Sequence, residues 1–182
     1  MLSQMDCVII NADSIAREAL EKNSDCLKRL AELFGYDIID DEGNCRRRLL
    51  AQRAFSSPKN KRLLDKTTHP WIIRRTTEYI EAYRHSTDSP IVFDAPLLFE
   101  SGGDKLCDVI ISVTAPEELR LERIIRRDGL SVGEARLRMS AQHDADYYIQ
   151  GSDYVIDGSQ PLELVRRQAA LVLENIIKRG VT

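Results

Sequence analysis

Ile91-Val92-Phe93-Asp94-Ala95-Pro96-Leu97-Leu98-Phe99-Glu100 is the stretch that decides how this chain folds. Its first half is apolar and β-branched without polar alternation, and it stops at an acid and a proline. Uninterrupted apolar runs suit strands covered on both faces, as in a parallel sheet. Three other runs read the same way: Cys7-Val8-Ile9-Ile10, Val109-Ile110-Ile111-Ser112-Val113 and Tyr154-Val155-Ile156. Each ends at a polar or breaking segment, namely Asn11-Ala12-Asp13, Thr114-Ala115-Pro116 and Asp157-Gly158-Ser159. Ligands of open parallel sheets bind beyond the carboxyl ends of the strands. The chemistry is therefore expected at all four strand ends, around Asp13, Asp94, Thr114 and Asp157.

Helical punctuation lies between these runs. Ser24 is placed to cap a helix bearing Leu27, Leu30, Ala31 and Phe34 on one face and stopped by Gly35. Ser57-Pro58 opens a second helix, and Pro70 is expected to open a third with Ile72, Thr76, Tyr79, Ile80 and Tyr83 as its stripe. Ser131 and Glu134 form a capping box. A last helix from about Pro161 is expected to bury Leu162, Val165, Ala169, Val172 and Ile176. The connection from about 20 to 88 carries helices and no strand, and a shorter helical excursion runs from about 117 to 150. An α/β core with two helical outgrowths is the build of small phosphotransferases, one outgrowth holding the acceptor and the other closing as a lid.

With 182 residues, 43% hydrophobic and 30% charged, the composition is globular and excludes a fibrous or disordered chain. A net charge of −3 argues against bulk binding to nucleic acid or an anionic membrane. No apolar run is long enough for a membrane span, and the N-terminus has no secretion-signal pattern. Cys7, Cys26, Cys45 and Cys107 are far apart, so reduced thiols and a cytoplasmic location are expected. His69, His85 and His143 show no zinc spacing.

Six arginines and no lysine lie between 120 and 138. Arg120, Arg123 and Arg127 share a helix face by spacing, and guanidinium forks suit phosphate oxygens. The same arginines could equally be a solvated face paired with Glu117, Glu118 and Glu122. Arg46-Arg47-Arg48 allows the same two readings. Asp13 and Asp94 stand where a carboxylate can deprotonate a hydroxyl or organise Mg2+, and where it can equally cap a helix.

Six segments in order resemble the dephospho-coenzyme A kinase family, over essentially the whole chain. They are Asn11 to Arg17; Thr68-His69-Pro70-Trp71-Ile72; Asp94 to Gly102 with its Pro-Leu-Leu-Phe-Glu core; Arg123 to Asp128; Arg138-Met139-Ser140-Ala141-Gln142; and Asp153 to Asp157. The resemblance implies transfer of the ATP γ-phosphoryl group to the 3′-hydroxyl of dephospho-CoA on an α/β, three-layer P-loop kinase fold. It implies a core of 1–18, 89–117 and 151–182, a helical CoA-binding subdomain of 19–88 and a lid of 118–150. Asp13 would be the base or orienter, with Arg123 and Arg127 on the phosphates. Arg47, His69, Pro96, Leu97, Glu100 and Gln142 would contact substrate. Asp157 would lie near the adenine of ATP, and Asp94 would organise Mg2+ through water. The implied partners are ATP and dephospho-CoA, with no nucleic acid and no membrane; the oligomeric state stays open.

Departures from the family pattern are Asn11 for Asp, Arg75 for Glu and Gly158 for Asn. The family also begins with a strand and a Gly-x-x-x-x-Gly-Lys-Ser/Thr loop, and no Gly-Lys pair occurs among the nine glycines here. On this resemblance Met1 aligns within the helix after that loop. The central strand of a 2-3-1-4-5 sheet is then expected to be missing, and this chain by itself is expected to show no measurable kinase activity. A non-catalytic relative binding CoA-like ligands, or another small-molecule P-loop kinase, stay open as alternatives.

Overall fold

The structure is a computed structural model that describes residues 5–140 and 142–180. Ala141 of the Arg138–Gln142 segment, and residues 1–4, lie outside the described residues. The chain forms two compact units, one of residues 6–107 and one of 108–180 with residue 5.

In the first unit, β1 (Val8–Asn11) pairs in parallel with β2 (Ile91–Asp94), with Ile10 opposite Phe93 and Asn11 opposite Asp94. Helices α1 (Ala12–Glu18), α2 (Asp25–Phe34), α3 (Arg47–Ala54) and α4 (Pro58–Arg84) connect them. The Ser24 hydroxyl accepts from the Cys26 amide, and Gly35 ends α2 at φ 102°, which favours glycine. This amphipathic helix buries Leu27, Leu30, Ala31 and Phe34 against Ile38, Leu50 and Ala54. A short helix α5 (Leu98–Ser101) follows β2.

Pro70 does not open a new helix. It lies inside α4, which runs unbroken for 27 residues from the Ser57 cap. An interior proline deletes one backbone hydrogen bond and costs about 3 kcal/mol. Here the Thr67 and Thr68 hydroxyls donate to the carbonyls of Leu63 and Leu64, at 2.9 and 3.0 Å. Packing of α4 on α1, α2, α3, β1 and α5 outweighs the local signal. The expected stripe does face inward, with Thr76 fully buried.

In the second unit, β3 (Ile111–Thr114) pairs in parallel with β4 (Tyr154–Asp157). Between them come α6 (Glu117–Asp128), α7 (Val132–Met139) and α8 (Ala145–Gln150). The capping box of Ser131 and Glu134 is formed in both directions. Helix α9 (Leu162–Lys178) lays Val165 and Ala169 over Ile156. Leu162 departs from expectation and is 59% exposed. It is the first residue of α9, where a helical side chain leans back over the preceding turn.

The two strand pairs are separate two-stranded sheets.

Candidate functional site

The carboxyl ends of β1 and β2 bring three polar side chains to one place in the sequence register. Asn11, on the last rung, donates from Nδ2 to Asp94 Oδ2 at 3.2 Å. Its Oδ1 accepts from the Ser14 amide at 2.9 Å, so Asn11, and not Asp13, caps α1. Asp13 is thereby freed from capping. It stands exposed in the first turn of α1 with no hydrogen bond or ion pair among the described residues. A carboxylate with both oxygens available can accept a hydroxyl proton; one already serving amides cannot do so without breaking its cap.

His69 sits on α4 with its Nε2 3.9 Å from Asp65 Oδ1, and Asp65 Oδ2 in turn accepts from Lys61 Nζ at 2.8 Å. One turn apart each, the three form a charge ladder along the helix. Arg47 opens α3 and is exposed. Pro96 and Leu97 are also exposed, Leu97 at 40%, and Glu100 is half-buried in α5. Asp13, Arg47, His69, Asp94, Pro96, Leu97 and Glu100 thus all belong to the first unit.

The remaining candidates belong to the second unit. The arginines of α6 share a spacing but not an environment. Arg123 is exposed and unpaired among the described residues. Arg127 donates from Nε to Asp128 Oδ1 at 2.7 Å, and Arg138 of α7 reaches Asp128 Oδ2 at 2.7 Å. That double grip, Arg127 first, holds the Asp128 carboxyl below the usual range and pushes Arg127 up. Arg120 has a buried Nε without a partner. With Arg136, Pro116, Gln142 and His143 it lines an open cavity of about 630 Å3. His143 stacks on Tyr147 at 4.0 Å.

Asp157 is fully engaged by its own turn. Its Oδ1 accepts from the Ser159 amide (2.8 Å) and hydroxyl (2.6 Å), and its Oδ2 from Gln160 (2.9 Å). The Ser159 hydroxyl is the chief cause of its lowered pKa. Gly158 donates its amide to the Thr114 carbonyl at 2.7 Å, and a Cβ there would stand 3.0 Å from that oxygen.

Sequence reasoning missed three participants. The sequence shows Asn11 as a strand end and a departure from the family pattern but not as the cap of α1, although polar caps at a strand end are a readable signal. It shows Arg120 and Arg136 as part of an arginine cluster but not as cavity walls. Among the described residues no group of three or more His, Cys, Asp or Glu side chains could hold a metal ion.

Parallel strand pairs, polar groups beyond their carboxyl ends and arginine-rich helices place the chain in the class of α/β phosphotransferases with the P-loop kinase architecture. Known structures agree: a crystal structure of a Thermus thermophilus protein matches with a TM-score of 0.75 at 29% identity, over 96% of this chain and 87% of that one. Dephospho-CoA kinase from Campylobacter jejuni matches with a TM-score of 0.71 at 26% identity, over 99% and 89%. The sequence model of the CoaE dephospho-CoA kinase family matches residues 1–163, and the chain belongs to that family. Dephospho-CoA kinase of Syntrophotalea carbinolica is 34% identical over 177 residues, 97% of this chain and 84% of that protein. The Corynebacterium diphtheriae enzyme is 39% identical over 162 residues, 89% and 81%. Family membership makes the chain an ATP-dependent kinase, a transferase of small-molecule substrates. No helix among the described residues is long and apolar enough to cross a membrane.

Proposed function

We propose that the chain moves the γ-phosphoryl group of ATP to the 3′-hydroxyl of dephospho-CoA, with Asp13 accepting or orienting the hydroxyl proton. The observation that carries this reading is the release of Asp13 from capping by Asn11, at the end of β1 and in a chain of this family. Phosphoryl transfer needs positioning and charge neutralisation more than covalent chemistry. Residues 1–18, 89–117 and 151–182 are assigned to the nucleotide-binding core, 19–88 to the CoA-binding subdomain and 118–150 to the lid. On the acceptor side, Arg47 and His69 would hold dephospho-CoA, and Pro96, Leu97 and Glu100 would shape its seat. On the nucleotide side, Arg123 is the unpaired cation for phosphate, with Arg127 joining once it leaves Asp128. Gln142 would meet the substrate phosphates beside Arg120 and Arg136, and the Asp157 turn would shape the adenine side.

The donors suit Mg2+ better than a softer ion. Asp94 is an exposed oxygen ligand with Oδ1 free of the Asn11 bond, and Mg2+ is commonly held by one or two carboxylates, water and substrate phosphates. When bound, it would neutralise charge on the phosphate oxygens.

The test is ADP release by the full chain, with and without dephospho-CoA. Asp13→Asn should lower turnover by a factor of about 10² to 10⁴, the range for a positioned acid or base, while dephospho-CoA still binds. Dephospho-CoA binding without ADP release from the parent would make the chain a non-catalytic CoA-ligand-binding relative. Preference for a nucleoside monophosphate acceptor would make it another small-molecule kinase.

A further inference from the structure

A closed polar loop joins α1 and α4. Arg75 donates from Nε to Glu18 at 3.1 Å, from Nη1 to Glu78 at 2.8 Å and from Nη2 to the Tyr79 hydroxyl at 3.2 Å. The Tyr79 hydroxyl donates onward to Glu18, 3.0 and 3.1 Å from its two oxygens, and the guanidinium lies 4.6 Å over the Tyr79 ring. Every link is within the first unit, and Glu18 and Arg75 are about one-quarter and one-third exposed, so the loop is half-buried.

We infer that Arg75 is a positioning residue: it fixes α1, which carries Asp13, against α4, which carries His69. The inference rests on the reading of those two residues as acceptor-side groups. A seven-residue helix has no stability of its own, so its direction is set by tertiary contacts alone. Its main packing partner is α4. At its start α1 hangs from Asn11, in its middle Ile15 is buried, and at its end Glu18 meets Arg75 and Tyr79. Glu18 lies five residues from Asp13, about 7.5 Å along the axis, and His69 lies six residues from Arg75, about 9 Å. Freeing the end of α1 therefore loosens the direction of the helix that carries Asp13 relative to α4. Only arginine can do this work with one side chain. Its fork serves three partners in fixed directions, and a lysine offers a single point charge.

The test uses the full chain, with dephospho-CoA as probe. Arg75→Met and Glu18→Gln are expected to weaken dephospho-CoA binding by calorimetry about tenfold, with melting temperatures within a few degrees of the parent. Arg75→Lys, which keeps the charge but not the three-way fork, is expected to recover only part of the affinity. Amide hydrogen exchange supplies a readout that needs no ligand: in Arg75→Met, amides of α1 should exchange at least several-fold faster while those of α2 stay unchanged. A fall in melting temperature with unchanged affinity, or full parent affinity in Arg75→Lys, would overturn the inference. If the parent fails to bind dephospho-CoA, the acceptor reading falls, and unchanged exchange in α1 then overturns the positioning role separately.

Discussion

Asn11 and Asp94 face each other across the last rung of the β1–β2 ladder, joined by a 3.2 Å hydrogen bond from amide to carboxylate. The same Asn11 side chain caps α1 through the Ser14 amide. One residue therefore closes a strand end, starts a helix and holds a carboxylate still.

Asn11→Ala removes the cap and the tie to Asp94 together. Loss of such a cap costs about 1 kcal/mol, up to about 2. Urea unfolding should show a lower midpoint with an unchanged slope. A variant as stable as the parent would mean that the strand end holds itself without this side chain.

Gly35→Ala should destabilise more than an ordinary surface change. Gly35 has φ 102° and ψ 139°, and a Cβ there would stand 2.6 Å from Arg53 Nη1. Backbone conformations of this kind cost non-glycine residues about 1–3 kcal/mol. Arg53 would also be pushed off the Phe34 carbonyl and Asp37, which it now grips. Urea denaturation checks the size of the loss.

Acid should weaken the fold through Asp37. The Arg53 hydrogen bond holds the Asp37 carboxyl below its ordinary value. A carboxyl whose pKa is lower folded than unfolded stabilises the fold above the unfolded value. That contribution disappears as pH falls through the folded value. Stability measured in urea should thus drop as pH falls below about 4. Arg53→Met should flatten part of this acid limb. An unchanged limb would show that Asp37 takes no part in it.

Releasing Asp128 should bear on the nucleotide and not on the fold. Asp128→Ala frees Arg127 and Arg138, both exposed. Exposed pairs contribute little to stability. Melting should barely change, and ATP affinity by calorimetry should rise several-fold. Arg127→Ala should lower it. Equal ATP affinity in both variants would remove Arg127 from the phosphate site.

Cys26 should resist alkylation. Burial pushes its thiol up to about 11, and its Sγ lies 3.9 Å from the Thr67 carbonyl. The thiolate is the reactive form. Iodoacetamide at pH 8 should leave Cys26 unmodified in the folded chain and label it in urea, as read by peptide mass.

What was legible in the sequence is what local chemistry decides. Ser24, Ser57 and Ser131 cap their helices and Gly35 ends one, as their positions suggest, because a cap involves only neighbouring residues. The four strands follow from uninterrupted apolar runs. Pro70 was misleading because its local cost is outweighed by packing against elements far off in sequence. Asn11 and Asp13 could each cap a helix, and the strand register chooses between them. The α6 arginines share spacing, but Asp128 and a buried guanidinium nitrogen make them unlike. Arg75 and Glu18 are 57 residues apart, so no window along the chain contains their meeting.

The unbroken passage of α4 through Pro70 has a mechanical consequence. A helix of 27 residues is a rod about 40 Å long. If it pivots at Arg75, a tilt of about 5° moves Pro58, about 26 Å away, by about 2 Å. His69, nearer the pivot, moves by less than about 1 Å. His69 and the Ser57 cap lie on the same arm of this lever, His69 nearer the pivot, so a displacement applied at the far end reaches His69 reduced to about one-third.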